Sequence, residues 1–119
     1  MPQNPMSPEL QACIRACLEC HQACTETAAH VLHGTSGHSE GQHLVALLDC
    51  AQIASVSADF MARRSPHHRH VCAECAEISA ECARLCDSHA DPDGKMKQCA
   101  EACRRCSQSC AAMGESRKR

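Results

Sequence analysis

The sequence predicts an all-α chain, an antiparallel up-down-up-down four-helix bundle with a Cys-lined core. Three observations predict it: four segments of helical length divided by turn-forming residues, a cysteine spacing of four, three and four that recurs along them, and no alternating strand pattern. Ser7-Pro8 reads as an N-cap followed by proline at the first helical position, and the pattern then runs without glycine or proline to about His33. Gly34 to Gly41 is a connection rich in glycine and histidine, and Ser39 with Gln42 three residues later offers a capping box for a second helix over about 40–64. Ser65-Pro66 repeats the first start signal for a third helix over about 66–89. Asp91-Pro92 opens a fourth over about 92–113, which Gly114 closes. The 119 residues are expected to form one domain, 1–119.

The cysteines follow this frame. Cys13, Cys17, Cys20 and Cys24 are spaced four, three and four apart, and Cys99, Cys103, Cys106 and Cys110 repeat them. At about 100° per residue each quartet falls within an arc of roughly 60°, so its thiols point the same way. The third helix carries Cys72, Cys75, Cys82 and Cys86, with Ser79 in the skipped position, and the second keeps the register through Cys50, Ala54, Ser57 and Met61. Such a seam belongs to the inside of a bundle. Aligning antiparallel seams predicts four levels: Cys13, Ser57, Cys72 and Cys110; Cys17, Ala54, Cys75 and Cys106; Cys20, Ser79 and Cys103; and Cys24, Cys50, Cys82 and Cys99.

Thirteen cysteines in so short a chain imply a disulfide scaffold, redox chemistry or metal. The N-terminus has no basic n-region or apolar h-region of a secretory signal, and no apolar run long enough to span a membrane is read in the sequence, so the chain is expected in the cytosol. There, disulfides are disfavoured, and an odd count cannot pair fully. Neighbouring Cβ atoms on one helix face also lie roughly 5 to 6 Å apart, against about 3.8 Å in a disulfide. Buried cysteine can serve simply as a small hydrophobe, but alanine would pack as well in three aligned stripes without the oxidation risk. Zinc sites usually gather paired Cys-x2-Cys units from loops, and iron-sulfur clusters need a cysteine-bearing loop wrapped around them. Copper(I), soft and content with few ligands, fits side-by-side thiols on a helix best. Several ions per chain are expected.

The stripes Cys13-x3-Cys17-x2-Cys20-x3-Cys24, their copy from Cys99 to Cys110, and Cys82-x3-Cys86 resemble the bacterial copper storage proteins over nearly the whole chain. The resemblance implies thiolate ligation along the bundle axis, homotetramers, and both exported and cytosolic members, this chain falling with the cytosolic ones. The lone Cys50 of the second helix departs from the most cysteine-rich members.

At one end of the bundle the sequence places His43, His89 and Met96, candidate relay ligands at a mouth. Leu10, Met61, His68 and Met113 fall at the other end, and His33, His38 and the run His67 to His70 read as solvated. Val45, Ile53, Val56 and Phe60 form an apolar stripe turned away from Cys50, which predicts a homo-oligomer. Other classes fare less well. A zinc or cadmium buffer would use the same thiols. A di-iron enzyme needs two Glu-x-x-His motifs, and Glu40 to His43 is the one present. Nothing singles out one thiol for redox catalysis. The net charge of −2 and the small basic clusters Arg63-Arg64 and Arg117 to Arg119 argue against nucleic acid and a copper-responsive regulator.

Overall fold

A computed structural model describes residues 6–34, 41–89 and 94–115. Among these residues there are four helices and no strand: α1 (Pro8–His33), α2 (Gly41–Ala62), α3 (His68–Asp87) and α4 (Lys95–Glu115). The start of α1 follows from its cap, because Ser7 Oγ accepts the Leu10 N–H at 3.1 Å and Pro8 occupies a position whose amide would have no helical partner. The expected capping box of α2 rests on Ser39, which lies outside the described residues.

Two boundaries differ from the sequence reading. Ser65-Pro66 does not open α3. Arg64 turns into the left-handed region (φ 54°), and Ser65 then organises the turn itself, its Oγ accepting the His67 N–H at 3.1 Å and its carbonyl accepting the His68 N–H at 3.2 Å. The helix therefore begins at His68. At the other end of the chain Gly114 does not close α4, which continues to Glu115. This glycine serves a close approach, since a Cβ there would stand 2.9 Å from the Cα of Ala73 on α3. The turn role falls to Gly94 (φ 77°), and α4 begins at the next residue. The expected opening at Asp91-Pro92 lies outside the described residues.

Each helix packs on its chain neighbours and α4 closes onto α1. Pairings run in opposite directions along every adjacent pair: Cys13 meets Cys110 while Cys24 meets Cys99, and His43 near the start of α2 meets Cys86 near the end of α3. The bundle is antiparallel throughout. Alanines beside the thiols, among them Ala51, Ala54, Ala58, Ala83, Ala100 and Ala102, are buried and leave room for the backbones to draw close around sulfur. Leu47 and Met61 are fully buried, and Ile14, Val31, Leu44, Ile53 and Ile78 pack on this core from the flanks.

The sequence reading found no membrane-length apolar run, but α2 is long and apolar enough to cross a bilayer by length and composition, with a mean hydropathy of 1.5 over an 18-residue stretch. A helix that buries one face in a soluble bundle and keeps apolar side chains on the other meets the same test. Here α2 packs between α1 and α3 and buries its cysteine seam.

Because apolar side chains and protonated thiols close the bundle, the reduced, metal-free chain is expected to give a helical far-ultraviolet circular dichroism spectrum, and a random coil that folds only with metal would contradict it. In the same state Gly114→Val should destabilise by about 1–3 kcal/mol through overpacking against Ala73, read from urea unfolding. An unchanged midpoint would mean that the α3–α4 approach is looser than described.

Candidate metal centre

All thirteen cysteines are free thiols and all are buried, none more than 1% exposed. The spacing of four and three carries them inward on α1, α3 and α4, and the antiparallel closure brings their sulfurs together in levels. In the first, Cys13 Sγ lies 3.8 Å from Cys110 Sγ, with Cys72 beside them. In the second, Cys106 lies 3.7 Å from Cys17 and 3.6 Å from Cys75. In the third, Cys20 is 3.4 Å from Cys50 and 3.8 Å from Cys103. In the fourth, Cys24 is 3.8 Å from Cys99 and 4.0 Å from Cys82. Cys86 stands beyond, with His43 Nε2 3.4 Å from its sulfur.

These distances correct one expected level. Cys50 falls in the third level, 3.4 Å from Cys20 and 3.9 Å from Cys103, although Cys24 of the fourth also lies within 4.8 Å of it. The register of α2 on α1 puts Cys50 there, and in that register His21 Nδ1 meets the Ala51 carbonyl at 2.8 Å. Sequence reasoning passed over His21. A polar ring directly beside the seam residue Cys20 was the available signal.

With that correction every level has three thiols and one corner without sulfur. The register puts Ser57, Ala54 and Leu47 of α2 at the vacant corner of the first, second and fourth levels, and Ser79 of α3 at that of the third. All four are fully buried. Ser79 Oγ donates back to the Cys75 carbonyl at 2.6 Å, so it is occupied by its own helix. Ser57 Oγ is buried without a hydrogen-bond partner among the described residues. Three groups have every sulfur within 4.8 Å of the others: Cys17, Cys75, Cys106 and Cys110; Cys20, Cys24, Cys50 and Cys103; and Cys13, Cys72 and Cys110.

The expected ends assemble unequally. His43 is buried and stacks on His89, ring centroids 4.2 Å apart, and Met96 is buried one helical turn before Cys99. His89 Nδ1 meets the Leu85 carbonyl at 2.6 Å. At the opposite end Met61 is fully buried, Leu10 and Met113 are partly so, and His68 Nδ1 is turned to the Ser65 carbonyl at 2.9 Å. His33, His67 and His70 are exposed, and His38 lies outside the described residues.

Thiols at these separations share protons unevenly. Hydrogen bonding from Cys103 is the largest influence holding Cys20 down to about 6 and Cys99 down to about 4, against burial, which acts upward. Their partners move the other way: Cys103 is pushed far above the ordinary thiol range, first by Cys20, and Cys110 likewise, first by Cys106. Soft cations can replace the protons, because a thiolate is the ligand form and a thiol is not.

A family model described as copper storage protein matches residues 6–115. An uncharacterized cysteine-rich protein of Bacillus subtilis strain 168 is 32% identical over 103 residues, covering 87% of this chain and 94% of the relative. A Cu(I)-bound copper storage protein of Bacillus subtilis superposes with a TM-score of 0.83 at 29% identity, over 89% of this chain and 98% of its own. A cytosolic copper storage protein from Streptomyces lividans, in a structure with five coppers, gives a TM-score of 0.83 at 31% identity, over 90% and 92% of the two chains.

The proton distribution sets the sign of a pH effect. Thiols pushed upward hold protons at neutral pH and must release them on ligation, so apparent copper(I) affinity should fall as pH falls. Cys20 and Cys99 add to the release only once pH drops toward about 6 and about 4, which steepens the loss in acid. Competition with a copper(I) chelator across the acidic and neutral range measures this, and an affinity indifferent to pH would refute it.

Proposed function

The chain belongs to the copper storage protein family, and on that premise we propose that its core cysteines are the copper(I) ligands of a cytosolic store. Storage of several copper(I) ions is what the chain does. The carrying observation is the stack of buried free thiols in groups whose sulfurs all lie within 4.8 Å of one another. The ligands are Cys13, Cys17, Cys20, Cys24, Cys50, Cys72, Cys75, Cys82, Cys86, Cys99, Cys103, Cys106 and Cys110. Adjacent thiolates bridge ions, so the ion count approaches the thiol count. The role is sequestration, not catalysis, and the cytosolic Streptomyces relative supports the same compartment here.

Copper enters past His43, His89 and Met96. Supporting this, His43 Nε2 reaches the outermost thiol, Cys86, and the two cysteines with any exposure, Cys86 and Cys99, are at this end. A second reading, a zinc buffer, draws on the four-thiol groups, which match zinc in ligand number. Anaerobic titration of the reduced protein with copper(I), read by native mass spectrometry, separates the two. About ten or more ions per chain are expected, whereas saturation at three or four would favour tetrahedral sites of the zinc kind. In the same titration His43→Ala should slow uptake and His68→Ala should not.

The chain assembles with copies of itself through α2, as a homotetramer. The apolar surface differs in detail from the stripe read in the sequence. Val45 and Leu48 on α2 are 57% and 49% exposed and Leu18 on α1 is 48% exposed, whereas Ile53, Val56 and Phe60 are partly buried and the Arg63 guanidinium lies over the Phe60 ring at 4.5 Å. Val45→Glu with Leu48→Glu should therefore shift wild-type oligomer toward monomer in light scattering. A monomeric wild type would overturn the assembly reading and leave the copper reading intact.

A further inference from the structure

We propose that the store is divided into an outer and an inner compartment, and that Ser79 with Ala54 forms the division between them. The inference rests on copper(I) storage by the core thiols. Among the described residues, sulfurs within 4.0 Å of each other link eleven of the thirteen cysteines into two sets, with Cys72 beside the first and Cys86 beyond the second. The first and second levels are linked by Cys17 and Cys110 at 3.4 Å, and the third and fourth by Cys24 and Cys103 at 3.5 Å. No such link joins the second level to the third, and none of the three close sulfur groups mixes the two sets.

The vacant corners explain the break. On each of α2 and α3 one of the two seam positions bordering it lacks sulfur, Ala54 in the second level and Ser79 in the third, and the Ser79 hydroxyl is committed to the Cys75 carbonyl. Thiols continue through the break on α1 and α4 alone. Cys20 and Cys106 face each other across it, in side-chain contact at more than 4.0 Å.

Copper(I) moves through such a core by ligand exchange. An incoming thiolate bonds to the ion before the outgoing one leaves, and the outgoing thiolate takes up the proton that the incoming thiol released, with no change of oxidation state. Within either compartment each ion has adjacent sulfurs to step onto. Across the division it has one facing pair. The outer compartment, third level to Cys86, lies at the His43 end. The inner one, the first two levels, ends against fully buried Met61. Ions in the outer compartment therefore exchange readily, and ions in the inner one leave through it.

The test is anaerobic removal of copper(I) from the fully loaded, reduced protein by excess chelator. Release should be biphasic, with amplitudes near the seven-to-six ratio of outer to inner thiols and rates about tenfold apart, as for a step about 1.4 kcal/mol harder. Ser79→Cys supplies the missing sulfur on α3 and should merge the phases, and Ala54→Cys should do the same from α2. Ser79→Ala, which keeps the division, should leave both phases in place. Single-phase release from wild type, or a slow phase that survives both cysteine variants, overturns the proposal. Loading that stops at a few ions would instead overturn the storage reading itself, and the initial stoichiometry reports that separately.

Discussion

Everything in this molecule depends on one group that has two characters. A protonated cysteine is a small apolar side chain that a core accepts, and the same residue ionised is a soft metal ligand. A bundle can therefore bury thirteen of them without metal and recruit them when metal arrives. Carboxylates or imidazoles in that number would demand hydrogen-bond partners that the core does not hold. The spacing of four and three keeps each stripe on one helix face, and flanking alanines let the faces close to sulfur separations of 3.4–4.0 Å.

That closeness limits how much charge the empty core can carry. Like charges a few ångströms apart in a poorly solvated interior repel strongly, so ionising one thiol pushes its neighbours toward the neutral form. Hydrogen bonding among the thiols then decides which of them keep their protons, lowering Cys20 and Cys99 and raising Cys103 and Cys110. A monovalent cation shared between thiolates relieves the repulsion.

The second helix is built to a different balance. Its inward seam runs His43, Leu47, Cys50, Ala54, Ser57 and Met61, with a single thiol, and its outer side keeps Val45 and Leu48 exposed. It acts as a wall for the other three stripes and as an apolar outer surface. This is why the first, second and fourth levels have three thiols rather than four, Ser79 of α3 leaving the gap in the third, and why a helix of a bundle can reach a membrane-like hydropathy.

The stripes, the helical class, the inward direction of the thiols and the preference for a soft metal were legible in the sequence, because all of them follow from periodicity along one helix and from the chemistry of sulfur. Antiparallel pairing followed from short connections, and the pairing of His43 with His89 from their positions at one end. Other features were settled between helices, where a single sequence carries little signal. The placement of Cys50 beside Cys20, next to the His21–Ala51 contact, depends on how α2 sits along α1. The lack of room for a side chain at Gly114 is set by Ala73 of another helix, and the later start of α3 by the turn that Ser65 organises. The break in the sulfur network arises from the axial register of four helices at once. Local spacing determines which way a side chain points, whereas the distance between two sulfurs on different helices is determined by how those helices slide and cross.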